Sequence, residues 1–192
     1  MKTLKEYILE GAAIADRSYD RFFGDKLGRD KDIKRSIAKS MMILKKYKSD
    51  FSADEYKMLE ELIDNRFNRY RDNRSHADIG SYYSKRDEHE FLSFSFSFIM
   101  NNFPNAIINQ IDKGLTRKYP NLRLSCHLNS FGTTQTLSGD IYYYDKNKGS
   151  NEEVIALIKD ILSAIKPIYN DLISFKDDDA DRDEVNRRKR QQ

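Results

Sequence analysis

Serine, histidine and aspartate recur in the second half of the chain at strand-like spacing, and nucleophilic chemistry would first be sought there. Ser93, Ser95 and Ser97 alternate with Leu92, Phe94, Phe96 and Phe98. A period of two puts each set on its own face of a strand. Arg123, Ser125 and His127 alternate with Leu122, Leu124, Cys126 and Leu128, and Thr136, Ser138, Asp140, Tyr142 and Tyr144 with Leu137, Gly139, Ile141 and Tyr143. One sheet face would then display serines, His127 and Asp140 together. Mid-strand side chains lack the sharp turn that lifts a nucleophile beside backbone oxyanion donors. The pattern reads as a polar sheet face, solvated or interdomain. No catalytic residue is assigned and no enzymatic activity is expected.

Metal and phosphate chemistry is also weakly served. His76, His89 and His127 are the only histidines and share no ligand spacing, while the single Cys126 excludes an internal disulfide or a cysteine cluster. Gly24-Asp-Lys-Leu-Gly28 continues into Arg29-Asp30, without the Lys-Ser/Thr that binds phosphate and magnesium. The acidic run from Asp177 lacks the central glycine and terminal glutamate of a calcium loop. No metal or cofactor is expected. The richest interaction feature is Arg66, Arg69, Arg71 and Arg74 interleaved with Phe67 and Tyr70. That mixture suits phosphate contact with base stacking, and the Lys34–Lys48 face could extend it. Asp64, Asp72 and Asp78 dilute the charge, and Phe67 and Tyr70 fall on a core-facing helical stripe. Nucleic acid is the second reading for this chain.

The elements that must position these residues follow from periodicity. The chain has 192 residues, 39% hydrophobic and 34% charged, with a net charge of +3. That is enough to bury a core, and too balanced for overall charge to argue for nucleic acid. No apolar run is long enough to span a membrane, so no membrane partner is expected. Ala12, Ala15, Tyr19, Phe22 and Phe23 suggest a short helix broken near Gly24 and Gly28. Ile33, Ile37, Met41 and Leu44 predict a helix over 33–47, and Ser52-Ala-Asp-Glu55 spells a capping box opening a second, to about Tyr70. Together they form a helical hairpin. Asn73 to Arg86 reads as a loop or linker. A strand over 91–99, a helix opened by Pro104, strands from Leu122 and Leu137, and a helix capped at Ser150-Asn-Glu-Glu153 complete a β-α-β-β-α order. If the first two strands are parallel neighbours, a right-handed crossover joins them.

The fold class expected is α+β: an N-terminal helical hairpin followed by a small two-layer sandwich. The divisions are a leader over 1–10, a helical region over 11–86, a sandwich over 87–176 and a charged, disordered tail over 177–192.

The leader says where the rest goes. In Met1-Lys-Thr-Leu-Lys-Glu-Tyr-Ile-Leu-Glu10-Gly11, Leu4, Tyr7 and Ile8 share one helix face, yet ten residues are too few for a stable free helix and would order on a partner. Ile8-Leu9-Glu10-Gly11 offers a branched apolar residue, a spacer, an acid and a small residue, as a protease with an acid-accepting pocket would read. This leader resembles the capsid-targeting propeptides of internal head proteins of T-even-like, contractile-tailed bacteriophages. The resemblance covers about a twentieth of the chain, with Leu4 and Tyr7 where many leaders have an aromatic and Phe. It implies that Ile8 is the apolar specificity residue, Glu10 the residue before the cut and Gly11 the new N-terminus. It further implies docking on the prohead core, cleavage by the prohead protease, packaging in the capsid interior beside packaged DNA, and injection into the host cytoplasm. A role there in blocking a host defence protein by binding is also implied. The alternative is a non-virion nucleic-acid-binding or protein-interaction domain using Arg66–Arg74.

Overall fold

The even positions of one strand set the arrangement. The computed structural model describes residues 20–67, 74–84, 88–131, 133–143 and 149–175. Within them β1 (His76–Ser84), β2 (His89–Asn101), β3 (Leu122–Phe131) and β4 (Thr134–Tyr143) form one sheet in the order β1-β2-β4-β3. Every neighbouring pair is antiparallel. On β2, Leu92, Phe94, Phe96 and Phe98 are all 3% exposed or less. The register sets Ile79 beside Phe94, Ala77 beside Phe96, and Leu137 beside Phe98, building one apolar face across the sheet. Phe96 stacks on Phe98 at 4.7 Å between ring centroids.

Helices cover that face. The first, α1 (Asp20–Lys46), turns through a 3-10 segment at Lys48–Asp50 into α2 (Ala53–Asp64). Residues 105–118 form α3, whose central stretch Gln110–Leu115 is π-helical. Then α4 (Asn151–Ile165) and α5 (Tyr169–Ser174) follow, separated by a 3-10 turn at Lys166–Ile168 that contains Pro167. Met58, Leu59, Leu62 and Ile63 of α2, Ile107, Ile111 and Leu115 of α3, and the stripe Val154 to Ile165 of α4 join the β2 aromatics in one core. The structure is an α+β fold, with helices on one side of an antiparallel sheet.

Local signals hold where side chains satisfy their own backbone. Ser52 Oγ accepts from the Glu55 amide at 3.3 Å while the Ser52 amide donates to Glu55 Oε2 at 2.8 Å. Ser150 and Glu153 repeat the exchange at 3.3 and 3.1 Å. Each closes the start of its helix.

Four expectations are corrected. The stretch taken as a loop over 73–86 contains strand β1, paired with β2 from His76↔Ser97 to Ser84↔His89. The helix expected to break at Gly24 and Gly28 runs unbroken for 27 residues, because glycine weakens a helix by only about 1 kcal/mol each. The strands flanking α3, β2 and β3, are not neighbours; β4 lies between them, so no parallel crossover exists. The proposed boundary at 86/87 falls between two paired strands, and Leu44, Phe51 and α2 share the core of the sheet, so helical region and sandwich are one packed unit. The expected leader over 1–10 and tail over 177–192 lie outside the described residues.

Two glycines give opposite expectations. A Cβ at Gly139 would lie 2.6 Å from Phe96 Cζ and 3.0 Å from the Ser125 carbonyl oxygen. Gly139→Val should therefore destabilise by about 2 kcal/mol through overpacking. At Gly114 the nearest atom is 3.9 Å away, so Gly114→Ala should stabilise by about 0.5 kcal/mol. Urea unfolding midpoints of the two variants check both signs.

Candidate functional site: the open face of the sheet

Residues between the buried positions point the other way and form rows across the strands. One row runs His76, Ser97, Ser138, His127, and the next runs Asp78, Ser95, Asp140, Ser125. The polar set expected from alternation is thus assembled on one face. Asp140, His127 and Asn129 are exposed, and the serines are half-buried. Tyr82 and Tyr142 remain 39% and 40% exposed, and the Arg123 guanidinium sits 5.5 Å from the Tyr142 ring centroid. Flat, open surfaces that carry tyrosine and arginine hold the residue types that dominate binding hot spots.

Ser125 Oγ and His127 Nε2 lie 3.0 Å apart, and Asp140 stands across the ladder from Ser125 rather than behind the imidazole. A nucleophile needs its base oriented by a third group and oxyanion donors at hand. Strand backbone amides lie in the plane of the sheet rather than above the face on which Ser125 and His127 stand. The pair is a surface contact between neighbouring side chains. No group of three or more His, Cys, Asp or Glu suited to a metal ion occurs among the described residues, and no described helix is long and apolar enough to cross a membrane.

One end of the face is tied down by a network that sequence alone did not reveal. The Arg66 guanidinium lies 2.5 Å from Asp78 Oδ2 and donates to Ser36 Oγ at 2.8 Å, while the Ser40 hydroxyl donates to Asp78 Oδ1. Ser40 is 2% exposed. Arg66, read from sequence as a phosphate contact, is thus turned inward to join α1 and α2 to β1. Arg74 lies just before β1, and its carbonyl oxygen is 3.0 Å from His76 Nδ1. Arg69 and Arg71, like Ile8, Glu10 and Gly11, lie outside the described residues. The lysine face of α1 is exposed at Lys34, Lys39, Lys45 and Lys46. Its last member is hydrogen-bonded to Glu90, which raises the Lys46 pKa and lowers that of Glu90.

A second stitch was equally hidden. Asn151, at the start of α4, accepts from the Leu92 amide at 2.9 Å and from the Tyr143 hydroxyl at 2.6 Å, and donates to the Glu90 carbonyl at 2.8 Å. It caps the stretch of β2 that β4 no longer pairs. Burial pushes the Tyr143 hydroxyl well above its usual range.

Comparison with protein-family models, with curated proteins and with solved structures finds no match to this chain, so the site is read from its own geometry.

Removing one partner of a desolvated ion pair strands the other. Side chains of Arg66 and Asp78 are 24% and 27% exposed. Asp78→Ala should destabilise by about 2 kcal/mol, less than for a fully buried pair. Arg66→Ala combined with Asp78→Ala should cost less than the two singles summed, by about 1 kcal/mol. A double-mutant cycle by chemical denaturation measures both.

Proposed function

We propose that the chain is an internal head protein of a contractile-tailed bacteriophage, packaged in the capsid after its leader is cut and injected with the DNA. The observation that carries this reading is the sequence Ile8-Leu9-Glu10-Gly11 at the end of a ten-residue leader that opens Met1-Lys2-Thr3.

Inside the host, the mature protein acts by binding rather than by chemistry, with a host defence protein as the target the leader's resemblance suggests. The open sheet face supports this, because Tyr82, Tyr142 and Arg123 stand on a rigid support fixed by the core behind it. The second reading, a nucleic-acid-binding domain built on Arg66–Arg74, is weakened at Arg66 by its bonds to Asp78 and Ser36. Any DNA contact would then fall to the exposed lysines of α1, and its affinity would drop steeply with salt.

Intact mass and N-terminal sequencing of protein from purified phage particles test the proposal. The mature chain is expected to begin at Gly11, and a Glu10→Ala chain to remain uncut in infected cells. A chain found only outside particles, with Met1 or Lys2 at its start, refutes the virion reading.

A further inference from the structure

Charge on the two helices that pack against β1 is sorted by helix. From Lys31 to Lys46, α1 carries six cations, Lys31, Lys34, Arg35, Lys39, Lys45 and Lys46, and one acid, Asp32. α2 carries five acids and a single lysine, Lys57. The overall charge of +3 conceals this separation. A helix turns about 100° per residue, which sets Ile37, Ser40 and Leu44 on the core side of α1 and all six cations on the other. Lys31, Arg35 and Met42 run down the centre of that outward face, with Lys34 and Lys45 along one flank and Lys39 and Lys46 along the other. All the cations but Lys31 are exposed. Arg35 donates to Asp32 at 3.5 Å and Lys46 to Glu90. Lys39 and Lys45 have no ion-pair partner among the described residues.

We infer that this outward face of α1 binds the phosphate backbone of duplex DNA, whatever its sequence. Charge complementarity calls for a polyanion, and the residue types narrow the choice. The face carries no aromatic ring, and single-stranded nucleic acid needs rings on which its bases stack. Protein interfaces are enriched in aromatics and arginine and poor in lysine, the reverse of what stands here. A helix that lies in a membrane surface buries its apolar side in lipid, but that side of α1 is committed to the core through Ile37 and Leu44. What remains is a rigid polyanion. The cations are spread along about 22 Å of helix, and lysine meets phosphate as a point charge that needs no fixed geometry. The acids of α2 repel the same backbone and confine contact to the α1 side. This gives the nucleic-acid reading a surface other than Arg66–Arg74, and it rests on no part of the leader.

Fluorescence anisotropy of the full chain with a labelled duplex of about 24 base pairs, titrated between about 50 and 200 mM salt, tests this. Some four phosphate contacts should give log K against log salt a slope of about −3.5, the same for two duplexes of unrelated sequence. K39E/K45E should keep its circular dichroism, bind about tenfold more weakly or worse, and flatten the slope by about two units. K57E/K166E makes the same change of net charge on exposed lysines away from this face, and should bind within about threefold of the wild type. A single strand of the same length and phosphatidylserine vesicles should both bind more weakly than the duplex. No binding at about 50 mM salt overturns the proposal, and so does an equal loss in the two double variants. Binding that K39E/K45E leaves intact also overturns it, and assigns the contact to Arg69, Arg71 or the basic run 187–190. Equal or tighter binding of the single strand or the vesicles overturns the duplex as partner. If K39E/K45E fails to fold, K39A/K45A decides, through the same flattening of the slope. This titration reads α1, while N-terminal sequencing from particles reads the leader, so either result fails without the other.

Discussion

Four side chains on β2, Leu92, Phe94, Phe96 and Phe98, have to be kept from water, and most of the molecule follows from that constraint. They face one way along the central strand, so all the apolar cover must come to one side. Ile79 and Ala77 flank them on β1 and Leu137 and Ile141 on β4, while α2, α3 and α4 close over the top. Gly139 is the concession that lets Phe96 lie flat on the sheet, since any side chain there would occupy the ring's place. A one-residue slip of β2 would exchange the aromatics for the serines. The register and the one-sided arrangement are therefore a single constraint.

Because the apolar stripes of α2, α3 and α4 are drawn to the aromatic side, the opposite face stays open away from β1, where Ser40 and Arg66 reach Asp78. Its serines, His127, Asp140 and the Arg123–Tyr142 pair are held at fixed spacing by the core behind them. A flat ladder holds side chains in rows at good precision, while its backbone amides lie in the plane of the sheet rather than beside the side chains on the face.

Periodicity carried much of this arrangement into the sequence. The alternation of Leu92 to Phe98 with serines gave β2, the polar rows and the buried set, and Ser52/Glu55 and Ser150/Glu153 gave two helix starts. What sequence could not show was set by partners distant along the chain. In β1, Ala77 and Ile79 are its only clear apolar pair, and Asp78 and Gly80 argue against a strand on local grounds. It becomes one because Ser40 and Arg66 satisfy Asp78 and because β2 supplies the ladder. Arg66 looked like a surface cation for the same reason, as its partner lies beyond α2. Asn151, an ordinary first-turn residue by sequence, holds the end of β2 through contacts some sixty positions away. The order of strands follows from the choice of neighbour for β2, which alternation does not encode.

The functional account stands on the leader, and the leader can be tested apart from the fold. Residues 1–11 would be fused ahead of an unrelated fluorescent protein and expressed during infection by the phage proposed to carry this chain. Fluorescence is expected inside purified, nuclease-treated particles, on a reporter whose N-terminus begins at the residue corresponding to Gly11. A reporter that is excluded from particles and keeps its leader would contradict the account.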